Sequence, residues 1–135
     1  MSLGLPFYPD DLVIHHTCLL NASCIDQNFF IAPFDCEVLY ATCSQSTPDT
    51  DVGTVTVQLR KCNSGTAPAS GTALFSSAQS VKTTANTPVA PTLVFSQSTR
   101  TLKQFASLAL DFTGVTDLAG FNITVYLRRT TQSNL

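Results

Sequence analysis

The chain is poor in helix formers and in charge. It has one Glu, one Met, three Lys and no Trp, against nineteen Thr, thirteen Ser and nine Phe. Straight-chain helix formers are scarce and β-branched and aromatic residues abundant, which points to an all-β protein. Charged residues make up 12% of the chain, against about 25% in an average globular domain. The expected surface is rich in hydroxyls and weakly charged. The net charge is −2, and among seven basic residues only Arg60–Lys61 and Arg128–Arg129 are adjacent. That leaves no basic footprint, so no nucleic acid partner is expected. No apolar run approaches the length of a membrane span, and no membrane partner is expected. The start, MSLGLPFYPDDLVIHH, lacks the basic start and apolar run of a secretory signal. A length of 135 residues fits one domain.

Catalytic and metal-binding patterns are also missing. The two histidines, His15 and His16, are neighbours. In a strand they face opposite sides and cannot easily share a metal. Glu37 has no acidic or histidine partner pattern. The eight Asp residues cluster where turns are expected, and turn formation accounts for them. The stretch DTD, 49–51, lacks the twelve-residue loop of an EF-hand. There is no G-x-S-x-G, phosphate loop or dinucleotide fingerprint. The expectation is no enzyme, no catalytic residue, no metal and no cofactor.

Five cysteines stand at 18, 24, 36, 43 and 62, an odd number with no C-x-x-C spacing. With a strand over 36–44, Cys36 and Cys43 fall on opposite faces. They read as small buried hydrophobes of a protein made in a reducing cytosol rather than as a disulfide framework. The Asn-x-Ser/Thr triplets at Asn21 and Asn122 are expected by chance in so hydroxyl-rich a chain.

Short strand patterns separated by turns fill the chain. Strands are expected over 11–20, 28–33, 36–44, 52–62, 72–77, 92–96, 102–112 and 121–129. In 52–62, Val55, Val57 and Leu59 alternate with polar residues. In 121–129, Phe121, Ile123, Val125 and Leu127 alternate with Asn122, Thr124, Tyr126 and Arg128. Leu102, Phe105 and Leu108 fall near helical spacing, but period two fits Ala106 to Phe112 at least as well. Residues 80–88 are polar with turn residues, and 114–120 is a turn. About eight antiparallel strands at this spacing make a β-sandwich or jelly roll. The segment 63–71 contains no acid, base or aromatic, which disfavours catalysis and sugar stacking there. It reads as a strand connection turned by Gly65 and Gly71 and stiffened by Pro68.

Three parts are expected: an extended N-terminal arm over 1–10, a β-sandwich domain over 11–130, and a polar C-terminal tail over 131–135. Gly4, Pro6 and Pro9 forbid a helix in the arm. Leu3, Leu5, Phe7 and Tyr8 each cost about 1.5–3 kcal/mol if left in water. The arm therefore packs either on its own domain or on a partner. An arm can add to a neighbour's sheet edge, and symmetric assembly can cover the edges that remain.

The runs NFFIAPFDCEVLYATCS, DVGTVTVQLRKCNSGTAPASGTALFSS, KQFASLALDF and LAGFNITVYLRR resemble the small jelly-roll decoration, or cement, proteins of tailed-phage capsids. The shared pattern is an aromatic strand ending in Ala32–Pro33, an acidic strand start at Asp35 and Glu37, and Gly53 to Val57. It continues through the Gly65–Gly71 loop, LFSS and the amphipathic last strand. It covers residues 28–129. The chain departs from the pattern before the penultimate strand, where KQFASL stands in place of a Gly-Asp turn. The resemblance implies a homotrimer on the outer surface of the virion, made in the host bacterial cytoplasm. It would bind the major capsid protein and resist the pressure of packaged DNA. On that reading the capsid latch is Leu3, Leu5, Pro6, Phe7, Tyr8 and Leu12. The alternative is a receptor- or glycan-binding module of a head or tail fibre.

Overall fold

The strictest alternation in the sequence forms β9 (Phe121–Arg129), whose Phe121, Ile123, Val125 and Leu127 are fully buried. The computed structural model describes residues 11–130; the expected arm and tail lie outside them. The other strands are β1 (Asp11–Cys18), β2 (Gln27–Ile31), β3 (Cys36–Ser44), β4 (Thr56–Cys62), β5 (Thr72–Ala73), β6 (Gln79–Ser80), β7 (Thr101–Leu102) and β8 (Ser107–Thr113). Among the described residues the only helical turns are two three-residue 3-10 segments.

The strands form two antiparallel sheets. One has the order β1-β9-β3-β7, the other β2-β8-β4-β5 with β6 also on β4. The pairs β1–β9, β2–β8 and β3–β7 nest around β4 with β5 and β6, like the rungs of one long hairpin. The pairs β3–β9 and β4–β8 then wind that hairpin on itself. Chain neighbours β1 to β4 consequently alternate between the sheets. The fold is an all-β sandwich, as composition and spacing imply, with nine strands among the described residues in place of about eight.

One core fills the space between the sheets. It takes Val38, Ala41 and the four buried β9 residues from one sheet, and Val57, Leu59, Leu108 and Leu110 from the other. Val55, Val57 and Leu59 face inward as expected. Each such side chain contributes about 1.5–3 kcal/mol on burial. Phe112 meets Phe121 edge-on across the core, with ring centres 5.4 Å apart.

Five expectations need correction. Cys36 and Cys43 do not face opposite sides; both are buried. A bulge between Val38 and Tyr40 inserts one residue, which reverses the parity of β3 midway and turns both inward. The expected strand over 102–112 is two strands, β7 and β8, separated by a turn in which Phe105 takes φ +72°. The expected 72–77 strand pairs only at Thr72–Ala73, and regular pairing of 52–62 starts at Thr56. Residues 92–96 form no regular strand. After Val89 bridges Cys43, the chain crosses to the other sheet, where Leu93 bridges Phe75. It then returns, and the Val38 N–H donates to the Arg100 carbonyl at 2.9 Å. The crossing segment satisfies its backbone on both sheets in turn, so no single ladder holds it.

All five cysteines are free thiols and all are buried. Burial pushes the Cys18 thiol up to about 12, with Cys24 nearby adding to the shift. Burial raises Cys43 to about 11 and, with the charge of Asp35 adding, Cys36 to about 11. They act as small core residues, as the sequence suggests.

Candidate interaction surface

Of the candidate latch, Leu3, Leu5, Pro6, Phe7 and Tyr8 lie outside the described residues. Leu12 lies in β1 opposite Leu127 and is partly buried against the core. Beside it, the Asp11 carboxylate receives the Arg128 Nε–H at 2.7 Å and the Tyr126 hydroxyl. The Asp11 side chain has no exposed surface. The hydrogen bond to Asp11 raises the Tyr126 pKa, with burial adding to it. These contacts pin the first residue of β1. Tyr126 stacks on Tyr40 with ring centres 5.1 Å apart and planes 12° apart. Tyr40 and Val13 remain about half exposed on the same outer sheet face.

The histidines divide as expected. His15 lies outward, its ring nitrogens 2.7 Å from Thr17 Oγ1 and 3.3 Å from Thr124 Oγ1. His16 faces the other way and stacks on Phe29 at 5.3 Å. Its Nε2 is buried and finds no hydrogen-bond partner among the described residues. Burial, then the neighbouring His15, lowers its pKa.

The aspartates of the described residues build turns and ion pairs. Asp49 is buried. Its Oδ2 accepts the N–H groups of Thr116, Asp117 and Leu118 at 2.7, 3.0 and 3.1 Å. Its Oδ1 accepts the Asp51 N–H at 2.9 Å. Burial alone would raise this carboxyl, but the donated hydrogen bonds outweigh it and hold the group well below the usual carboxylate range. Asp26, Asp35 and Asp51 each cap one backbone N–H, of Phe112, Gln104 and Gly53. Asp111 pairs with Arg60 at 2.7 Å. Among the described residues no three His, Cys, Asp or Glu side chains converge on a common point.

Surface apolar residues gather at the ends of the sandwich. Leu19, Leu20 and Ile25 in the β1–β2 connection are mostly exposed, as is Val52 in the β3–β4 connection. Phe105 and Ile31 are exposed near the opposite end. Phe95 stands almost fully exposed at the crossing segment, beside an open depression of about 550 Å³ lined by Leu39, Leu93 and Arg100. Arg100 holds this segment in place. It reaches Glu37 at 2.6 Å and the carbonyls of Val38 and Val94 at 2.9 and 3.0 Å. The sequence places Phe95 in a strand, and only the crossing of 92–96 exposes it.

The loop 63–71 folds back onto β4. Gly71 sits where a Cβ would lie 2.5 Å from the Cys62 sulfur and 2.8 Å from the Lys61 carbonyl, so close approach requires glycine there. Gly65 supplies the turn with φ +84°. A second depression, of about 480 Å³, lies beside this loop, lined by Lys61, Asn63, Thr72, Ser98, Thr101 and Lys103.

No family model and no curated protein sequence matches this chain. In fold it is similar to a chain of the cyanophage Pam1 capsid asymmetric unit. That match has a TM-score of 0.50 and 16% identity, and covers 96% of this chain and 94% of the other. A chain from the endospore appendages of Bacillus, disulfide-linked pili, aligns at TM-score 0.29 with 16% identity, over 90% of this chain and 87% of that one.

Proposed function

We propose that this protein is a non-enzymatic structural component of a tailed-phage head, a decoration protein that binds the outer capsid surface as a homotrimer. The observation that carries the reading is the end-to-end likeness to the Pam1 capsid chain, which leaves almost no residue of either chain outside the match. The nested pairing of β1–β9, β2–β8 and β3–β7 is read as a jelly roll. The sequence motifs that resemble cement proteins agree with it. Residues 1–10 are the proposed latch onto the major capsid protein, with Leu3, Leu5, Pro6, Phe7 and Tyr8 as its contacts. Leu12 holds the base of the latch to the core, beside the Asp11–Arg128 pair. Three linked subunits raise the effective concentration of each latch, so modest contacts per subunit add up to firm attachment.

The test combines native mass measurement with co-sedimentation on expanded, empty heads. A trimer that coats heads, and a variant lacking residues 1–10 that stays folded but no longer coats them, is the expected result. A truncated protein that still decorates heads ends the latch reading. A monomer that ignores heads moves the protein to the fibre-module reading.

A further inference from the structure

Lys61 occupies an inward-facing position at the end of β4, two residues after the core residue Leu59. Its side chain is too long for the core and leaves at the end of the sandwich. There Nζ donates to the Thr101 carbonyl at 3.0 Å and to the Ser98 carbonyl at 3.3 Å. Both partners are neutral, and no carboxylate pairs with this ammonium among the described residues. Burial lowers its pKa. Lys103, on the same depression, is 80% exposed and sits 3.5 Å from Asp35. Two ammonium groups against one carboxylate leave the depression with excess positive charge.

The rest of the lining narrows the ligand. Asn63, Thr72, Ser98 and Thr101 contribute an amide and three hydroxyls, and no apolar side chain lines the depression. The threonine methyls and lysine stems add carbon surface between these polar groups, so a ligand that displaces water here must meet hydrogen-bonding groups and carbon surface in alternation, as the edge and face of a sugar ring do. An aromatic or aliphatic anion would cover the carbon surface but leave the amide and hydroxyls without partners. A bare inorganic anion would satisfy the charge and leave the hydroxyl lining to water. A volume of about 480 Å³ exceeds what one small ion fills and lies within the general range of ligand pockets, about 300–1,000 Å³.

We infer that this depression is a binding site for an acidic saccharide, its carboxylate between Lys61 and Lys103 and its ring hydroxyls on Asn63, Thr72, Ser98 and Thr101. The site is built from β4, β5, β7 and the loops that flank them, and it uses neither residues 1–10 nor the Tyr40–Tyr126 face. It stands independently of capsid attachment.

The experiment is an amide chemical-shift titration of the intact protein with three probes: glucuronate, glucose and inorganic phosphate. Glucuronate is expected to shift the amides of Lys61, Thr72 and Thr101, with an affinity that falls as salt is raised. Glucose lacks the charge and phosphate lacks the ring, so each is expected to bind at least about tenfold more weakly. Lys61→Gln is expected to weaken glucuronate about tenfold, and Lys103→Gln by several-fold. If Lys61→Gln melts because it also clamps the two sheets, Lys103→Gln carries the test alone. Equal affinity for glucose overturns the role of the lysines. Equal affinity for phosphate reduces the site to a simple anion contact and overturns the saccharide assignment. No shift with glucuronate, or variants that bind it as the wild type does, overturns the site.

Discussion

Gln58 and Phe75 exchange two hydrogen bonds between a side chain and a backbone. The Phe75 N–H donates to Gln58 Oε1 at 2.8 Å, and Gln58 Nε2–H donates to the Phe75 carbonyl at 3.3 Å. The Gln58 amide thus stands in for a missing backbone rung. It spans the gap along the β4 edge between β5, which pairs with Arg60 and Lys61, and β6, which pairs with Thr56 and Val57. Phe75 is then free to turn its ring into the core and to bridge Leu93. Gln58→Leu keeps the volume but leaves both Phe75 backbone groups unpaired in a buried place. A loss of about 2–3 kcal/mol is expected by urea denaturation, while Gln58→Glu at neutral pH loses the donor and adds a buried charge.

Asp49 ties the β3–β4 connection to the β8–β9 turn. Its carboxylate prefers the charged form in the fold, so its stabilisation is full above the unfolded pKa, about 3.9, and is lost as pH falls through the lower folded value. Asp49→Asn is expected to cost about 2–3 kcal/mol at pH 7. The gap between wild type and variant should narrow as pH drops below about 4. A constant gap down to acid unfolding would show that shape rather than charge holds these loops.

His16 titrates with the same sense but higher in pH. Its lowered folded pKa favours the neutral ring in the fold, so stability is full above about 6.5 and falls as pH drops through the folded value. His16→Phe keeps the stack on Phe29 and removes the unpartnered nitrogen. It is expected to gain about 1 kcal/mol at pH 5.5 and less at pH 7.5. Denaturation midpoints at the two pH values decide the point.

Phe105 is a bulky residue in a left-handed conformation, φ +72°, with 70% of its surface exposed. Such backbone costs about 1–3 kcal/mol for a non-glycine residue. Phe105→Gly is expected to raise the melting temperature of the isolated protein. A fall would mean that the ring makes contacts worth more than the strain.

The cysteines should behave as core atoms. With thiols buried and Cys18, Cys36 and Cys43 raised to about 12, 11 and 11, the native protein at pH 8 is expected to react slowly with a thiolate-specific reagent. Five thiols per chain should appear on denaturation. Fast labelling of any cysteine in the native state would place it outside the core.

Local sequence was sufficient for the elements whose pattern and surroundings agree. The period-two alternation of 121–129 and of 55–59 sets which side chains enter the core, because one sheet face must be dry. The adjacent histidines separate for the same geometric reason. The scarcity of helix formers fixed the class. Tertiary structure decided what a local pattern cannot carry. The bulge in β3 inverts the facing of everything beyond Tyr40, and it is visible only in the register with β9. The 92–96 run has the composition of a strand, yet it meets Leu74 and Ser76 through a single bridge at Leu93 rather than a ladder, and it leaves Phe95 in solvent. The depression under Lys61 joins residues up to 42 positions apart, Lys61 and Lys103, which meet only because the nested hairpin brings β4 and β7 to the same end of the sandwich.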